Sequence, residues 1–227
     1  MLMFGILRLF MFDVYYKAQK IMSLNGNMIG VEILMDPKKT DNKKYENILK
    51  DYRYTLSLVS RIINALKYNK KLRRSSYGIS LFINVEFEHL KYIKLLTLII
   101  KLQLDCIKYG SRLVIEITER QPKNITNAHF NALKMLREMQ VLIAVDDFDI
   151  KCDYRYDLLN SGYFDIIKIE WVNDKAFDIE LFLSEFRNYR VVIEKVEDIR
   201  MLDVIHKPNE IWGVQGFCFC KGMSIEI

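Results

Sequence analysis

Asp146 and Asp147 stand side by side where an apolar run, Val141-Leu142-Ile143-Ala144-Val145, gives way to a polar loop. One aspartate closing a strand is ordinary turn chemistry. Two adjacent carboxylates at the edge of a core repel each other unless a cation or a proton neutralises them. Comparable residues recur along the chain. Glu32 falls in MIGVEIL, Asn84 in ISLFINV, and Glu116 in RLVIEIT with Glu119 just beyond. Lys168 falls in FDIIKIE, Glu194 in RVVIEKV with Glu197 just beyond, and Gln215 in WGVQGF. Taken singly, each reads as an edge residue or a satisfied hydrogen bond. Polar side chains at equivalent depth in seven apolar runs are hard to assign to chance. Gathering Glu32, Glu116, Asp146, Asp147 and Glu194 in one place would be strongly destabilising without compensation. Lys168 offsets one negative charge, and the rest call for divalent cations. All candidate ligands are oxygen donors, so Mg²⁺ or Mn²⁺ is preferred to zinc. Such a site suits phosphate chemistry, in which a metal pair ~3.5–4 Å apart activates water and steadies the leaving oxygen.

The elements that must position these residues alternate in type. YKAQKIMS and MIGVEIL flank Asn25-Gly26, a strong reversing signal between extended runs, so a hairpin comes first. A long helix is expected within 44–72, where Leu56, Val59, Ile62, Ile63 and Leu66 recur at three and four. The pattern then predicts strands at 79–85, 112–118, 141–148, 164–170, 190–196 and 212–219. Helices are expected across 88–109, 126–140, 154–160, 178–188 and 197–206. Eight strands, most of them following a helix, argue for a largely parallel α/β sheet. Their number suggests closure into a barrel, in which the C-terminal strand ends converge on one rim. An open doubly wound sheet is the alternative that periodicity leaves standing.

The 227-residue chain is 51% hydrophobic and 28% charged, ordinary values for a globular protein. Nine Gly and three Pro leave little material for a linker, and no repeat is evident, so one domain is expected over 15–227. The opening MLMFGILRLFMF is apolar but only twelve residues long and interrupted by Arg8. It is too short to span a bilayer and lacks a small-residue cleavage site, so residues 1–14 read as a lead segment and no integral membrane segment is expected. Met3 and Met11 are both alternative starts. The net charge of +5 is mild, and its densest cluster, KYNKKLRR (67–74), suits a helix C-terminus. No nucleic-acid polymer is expected as a partner. Cys106, Cys152, Cys218 and Cys220 follow neither a disulfide framework nor a zinc spacing, which fits a reducing, cytosolic compartment. Cys218 and Cys220 read as packing residues on one face of a strand. His89, His129 and His206 fall away from the strand ends and receive no role.

The order Glu32-Ile33-Leu34, Asn84, EITE (116–119), DDF (146–148), Lys168, Glu194/Glu197 and VQGF (214–217) resembles the EAL-domain cyclic-di-GMP phosphodiesterases of bacterial signalling. The resemblance runs from about Tyr15 to Gly222. It implies a modified TIM-type (β/α)8 barrel with an antiparallel first strand, and opening of cyclic-di-GMP to linear pGpG by a metal-activated water. Matched by position, Glu32, Asn84, Glu116 and Asp146 would hold the first metal and Asp147 would help hold the second. Lys168 would orient the attacking water, Glu194 would act as base or ligand, and Gln215 would complete the shell. Glu119 would brace the loop after Asp147, with Glu197 in support.

Departures from the family pattern define a second reading. Where the family reads DDFGxGYS this chain reads DDFDIKCD, with Asp149 and Lys151 in place of glycines. If those positions need positive φ, their side chains impose strain. The loop often contributes to dimer coupling in the family, so a homodimer enters with the resemblance. Asp36 replaces an arginine usually near substrate phosphate and would repel it, with Lys38 or Lys39 as substitutes. Lys195 replaces another glycine, and Glu170 lengthens the acid of the usual KxD. The first reading is therefore a metal-dependent phosphodiesterase. The second is a catalytically weak or inactive module that binds cyclic-di-GMP or a protein partner.

Overall fold

The computed structural model describes residues 15–36, 47–171, 176–204, 211–219 and 222–225. The lead segment 1–14, Lys38, Lys39, His206 and Cys220 lie outside the described residues, as does the expected start of the first helix. The reversal at Asn25-Gly26 forms as expected. Gly26 takes φ 78°, and the Gly26 amide donates to the Ser23 carbonyl. It joins β1 (Tyr16–Met22) to β2 (Met28–Met35) in an antiparallel hairpin.

Six more strands follow in parallel: β3 (Ser80–Val85), β4 (Arg112–Ile117), β5 (Leu142–Val145), β6 (Ile166–Glu170), β7 (Arg190–Glu194) and β8 (Ile211–Val214). β1 closes the ring, antiparallel both to β2 and, at Met22 opposite Val214, to β8. The closed eight-stranded barrel with a reversed first strand is therefore as expected, and the open sheet is set aside. One strand had no counterpart in the sequence pattern. β9 (Met223–Ile225) lies antiparallel along β1, with Tyr16 opposite Ile225.

The helices are α1 (Tyr52–Tyr68), α2 (Lys70–Ser76), α3 (Ile93–Lys108), α4 (Asn127–Glu138), α5 (Tyr156–Leu159) and α6 (Ala176–Glu185). The single helix expected within 44–72 is broken at Asn69. Its side chain accepts from the Leu72 amide and so starts α2, a job for which Asn is well suited. Arg73 then turns back to donate to the Leu66 and Lys67 carbonyls. The helix expected at 88–109 begins as a 3₁₀ turn (Phe87–Lys91), and the one expected at 197–206 is a 3₁₀ stretch, Ile199–Val204. Among the described residues no helix is long and apolar enough to cross a membrane.

Strand periodicity explains why the polar residues converge. Ile21, Phe82, Val114, Ala144, Ile166 and Val192 fill the barrel interior as one apolar layer. Side chains two positions apart share a face. Asn84, Glu116, Asp146, Lys168 and Glu194 each follow a member of that layer by two, so all point inward one step nearer the C-terminal rim. Glu32 and Gln215 follow Gly30 and Gly213 in the same way. A Cβ on Gly30 would lie 2.6 Å from the Phe82 ring, so the missing side chain is what lets Phe82 fill the barrel beneath Glu32. A larger apolar core lies between the outside of the barrel and the helices, with Leu58, Ile62 and Leu66 of α1 packed into it.

Candidate metal centre

Lys168 stands at the centre of the polar layer and is fully buried. Its Nζ lies 2.6 Å from Glu116 Oε1, 2.9 Å from Asp146 Oδ1, 2.9 Å from Glu194 Oε1 and 3.3 Å from Glu32 Oε2. Two amides orient Glu32. Asn84 Nδ2 donates to Oε1 at 2.9 Å, and Gln215 Nε2 donates to Oε2 at 2.5 Å. Seven side chains from seven strands thus meet around one point. They include Glu32, Asn84, Glu116 and Asp146, the four expected to share an ion.

Four carboxylates surround a single ammonium, and the electrostatics reflect it. Burial and the nearby Glu32 push the Glu116 carboxyl well above its ordinary range. Burial does the same to Glu194, with Lys168 opposing it and Asp146 adding repulsion. Burial works against the Lys168 charge, but the surrounding carboxylates outweigh it and hold the amine firmly protonated. Asn84 Oδ1, Glu116 Oε2, Glu194 Oε2 and Gln215 Oε1 are buried with no hydrogen-bond donor. An unsatisfied buried polar atom costs on the order of 1–3 kcal/mol. All four are oxygen acceptors beside excess negative charge, the donor chemistry that a hard divalent cation satisfies. Among the described residues the carboxylates converge on the ammonium, and no three acidic, His or Cys side chains stand as a ready ligand set.

The layer floors a cavity of about 470 Å³ at the C-terminal end of the barrel. One wall is mainly apolar, with Leu34, Met35, Leu49, Tyr54 and Leu58, while Lys17, Arg120 and Lys195 bring positive charge to the mouth. Asp147 and Glu197 also line the cavity and are exposed. Asp147 takes φ 45°, a left-handed conformation that aspartate tolerates better than most residues.

Several expectations need correction. Asp149 and Lys151 are not in the positive-φ region, so the lost glycines impose no strain there. Instead Asp149 Oδ1 accepts from the Lys151 amide at 2.9 Å, a turn that an acidic side chain makes and glycine does not. Beside the cavity the positive-φ positions are Asp147 and Lys195, the latter at φ 56°. Lys195 forms an ion pair with Glu170, so two departures from the family pattern meet each other. Asp36 is buried, with its amide bonded to the Tyr15 carbonyl, and it is not among the residues lining the cavity. Glu119 is exposed and lines both this cavity and a neighbouring pocket that Ile150 and Lys151 of the loop after Asp147 also line, although among the described residues no hydrogen bond joins it to that loop. Cys218 is exposed in a turn rather than packed on a strand.

Sequence reasoning missed Glu86. It lies in the cavity wall, accepts from Thr118 Oγ1 at 2.9 Å and pairs with Arg120. Burial raises its carboxyl despite the arginine. Its signal was its place one residue past the apolar run that carries Asn84.

No protein-family model matches the chain. A curated relative, the probable cyclic di-GMP phosphodiesterase PdeG of Escherichia coli K12, is 28% identical over 121 residues, a stretch covering 49% of this chain. The match spans only 24% of that protein. Among solved structures, the PaMucR phosphodiesterase in complex with c-di-GMP superposes with TM-score 0.70 at 20% identity, covering 93% of this chain and 97% of that one. The Bacillus subtilis YkuI protein, which has an EAL domain and was solved with substrate c-di-GMP and calcium, gives TM-score 0.69 at 19% identity. That match covers 95% of this chain and 56% of YkuI. The architecture is that of a barrel with one reversed strand and an acidic floor. The chain has the EAL-domain fold, as the order of its motifs implied.

Proposed function

We propose that the protein is a metal-dependent phosphodiesterase that hydrolyses cyclic-di-GMP to linear pGpG. The observation that carries this reading is the convergence of Glu32, Asn84, Glu116, Asp146, Lys168, Glu194 and Gln215 with four donor-less oxygens among them. Glu32, Asn84, Glu116 and Asp146 would hold the first divalent ion, Mg²⁺ or Mn²⁺, and Asp147 at the rim would help hold a second. Such an ion, when bound, supplies Lewis acidity toward phosphate and makes water a nucleophile near neutral pH.

This chain's own groups do the rest. The Lys168 ammonium is held charged and donates, which orients water and offsets negative charge. Glu194, with one oxygen on Lys168 and the other without a donor, is placed to take a proton. Asn84 and Gln215 fix the Glu32 carboxylate from both sides. Lys17 brings a cation for phosphate to the mouth, where Arg120 and Lys195 are paired with Glu86 and Glu170, and the apolar wall receives a base. Residues 15–227 act as one barrel domain behind the lead segment 1–14. The free thiols of Cys106, Cys152 and Cys218 support a cytoplasmic setting.

The second reading is a module that binds cyclic-di-GMP, or a protein partner, without turnover. It draws on Lys195, a strained residue where the family pattern has glycine, at the lip of the cavity. One assay separates the two. The protein is incubated with cyclic-di-GMP and Mg²⁺ or Mn²⁺ and the products are resolved. Formation of pGpG that falls at least about a hundredfold in Glu32→Ala supports the enzyme, on the scale expected for losing a metal ligand that stabilises transition-state charge. Binding without product over long incubation establishes the module instead.

A further inference from the structure

The loop that carries Asp147 is anchored by groups outside the acidic layer. Arg155 is fully buried, an unusual place for a guanidinium unless it is paired and hydrogen-bonded. Its Nε donates to Asp153 Oδ1 at 2.9 Å and its NH2 group donates to Asp153 Oδ2 at 2.6 Å, a two-pronged ion pair. The Asp153 side chain also accepts from the Arg155 amide at 2.8 Å and, more loosely, from the Asp149 amide at 3.4 Å. This knits 149–155 into one unit.

The remaining contact connects that unit to the site. Arg155 NH1 donates to the Ile117 carbonyl at 2.6 Å, and the same carbonyl accepts from the Asp146 amide at 3.0 Å. Ile117 directly follows Glu116. One carbonyl therefore ties together the strand end bearing Glu116, the start of the acidic pair and the far end of the loop. On the other side the Phe148 amide donates to the Lys168 carbonyl at 2.9 Å. Asp147 sits between these two attachments in its left-handed conformation. Among the described residues, neither its own side chain nor Glu119 supplies an attachment of this kind.

We propose that Arg155, through Asp153 and the Ile117 carbonyl, is a positioning residue that holds Asp147 at the second ion site and does the work expected of Glu119. The inference rests on the metal-dependent reading above. Its physical content is geometric. Asp147 is exposed and sits at a backbone position with a small energetic preference for being elsewhere, so something rigid must hold it. A buried, two-pronged guanidinium on a strand-end carbonyl is rigid.

The test measures Mn²⁺ binding to the full chain by calorimetry, with hydrolysis of cyclic-di-GMP as a separate readout. Removing Arg155 alone would strand a buried carboxylate, so the main variant is Asp153→Ser/Arg155→Leu, which removes both charges together. The expected result is a folded protein whose first Mn²⁺ binds within threefold of wild type while the second weakens at least tenfold. The value of kcat falls at least tenfold, and KM stays within threefold. Arg155→Lys keeps the charge but can reach either Asp153 or Ile117 and not both, so its second-site affinity should fall between the two. Glu119→Gln should leave the second site within twofold. Wild-type affinity for both ions in the double variant overturns the proposal, and so does equal weakening of both ions. If the double variant fails to fold, Arg155→Lys decides: a change of less than twofold at the second site overturns the brace. A wild-type protein that binds two Mn²⁺ ions but forms no pGpG defeats the hydrolytic reading and leaves the brace to the Mn²⁺ titration. A wild-type protein that binds one ion defeats the brace whatever its turnover.

Discussion

Replacing Glu116 with Gln should stabilise the metal-free protein and forfeit most of the stabilisation that metal brings. Four carboxylate oxygens lie 2.6–3.3 Å from Lys168 Nζ. Spread around that one point, they are roughly 5 Å from each other. At an effective dielectric constant of about 20, each repulsion costs Glu116 about 3 kcal/mol, or about 10 kcal/mol from its three neighbours together. Its attraction to the ammonium at 2.6 Å returns only about 6 kcal/mol. The metal-free site is thus better off by about 4 kcal/mol without this charge, before any gain from relieving desolvation. For a domain of this size the gain corresponds to a rise in Tm of roughly 8–16 °C.

The pH dependence follows from the sign of the shift. The folded Glu116 carboxyl sits well above the ordinary range because it is buried and faces Glu32. Below the ordinary carboxylate range it is neutral whether folded or unfolded, so Glu and Gln differ little. As pH rises past that range the unfolded chain releases its proton first. Wild-type stability then falls until the folded group ionises as well. The gap between variant and wild type should therefore open from about pH 5 towards pH 9 in EDTA, measured by thermal unfolding. With Mn²⁺ at about a hundred times its dissociation constant the wild type gains about 2.7 kcal/mol. The variant has lost a ligand and gains little, so its advantage narrows to about 1 kcal/mol. A Gln variant less stable than wild type in EDTA at pH 9, or one that keeps the full Mn²⁺ stabilisation, would refute the reasoning.

Three further outcomes are expected. A Cβ on Gly216 would lie 2.0 Å from the Val196 carbonyl oxygen and 2.5 Å from the Val196 nitrogen. Gly216→Ala should therefore cost about 1–3 kcal/mol in urea unfolding and shift the segment after Glu194 enough to remove pGpG formation. Gln140 ends α4 with φ 58°, in the place where Gly110 ends α3 at φ 75°. Gln140→Gly should gain about 0.5–1 kcal/mol with activity unchanged, since the Gln103 side-chain amide donates to the backbone carbonyl of residue 140, which glycine keeps. Asp149→Gly/Lys151→Gly should lower Tm and leave turnover no faster, because neither residue occupies a conformation that glycine would relieve; a large increase in rate would show that the loop limits catalysis after all.

Much of the site was legible because strand periodicity is local. A polar residue two positions past an interior residue must point inward, and the apolar runs around Glu32, Glu116, Asp146, Lys168 and Glu194 advertise that spacing. The hairpin was legible for the same reason, since Asn25-Gly26 carries its turn within itself. The supports of the site were not. Arg155 and Asp153 lie in a loop without periodicity, and their value comes from the Ile117 carbonyl, thirty-eight positions away in sequence. Of the three glycine replacements, Asp149 and Lys151 carry no positive φ and only Lys195 does, while Asp147, where no glycine was lost, carries one too. A missing glycine says where freedom was given up, and only dihedral angles say where it was needed. β9 escaped because three residues are too few for a pattern. The break at Asn69 escaped because apolar spacing runs on through a side-chain cap.

The seam beside β1 has a consequence for how the molecule is made. Among the described residues β8 meets β1 only at Met22, and the stretch from Tyr16 to Ala18 is clasped instead by β9. A nascent chain could assemble the parallel strands in order as they leave the ribosome, yet the outer edge of β1 would stay bare until the last described strand was synthesised. Contacts so distant in sequence form late and slowly, and a bare edge invites pairing with a neighbouring chain. Lys17, at the cavity mouth, lies on the clasped stretch opposite Ser224. Trimming the clasp should therefore appear first as aggregation during synthesis, and only afterwards as a defect at the cavity.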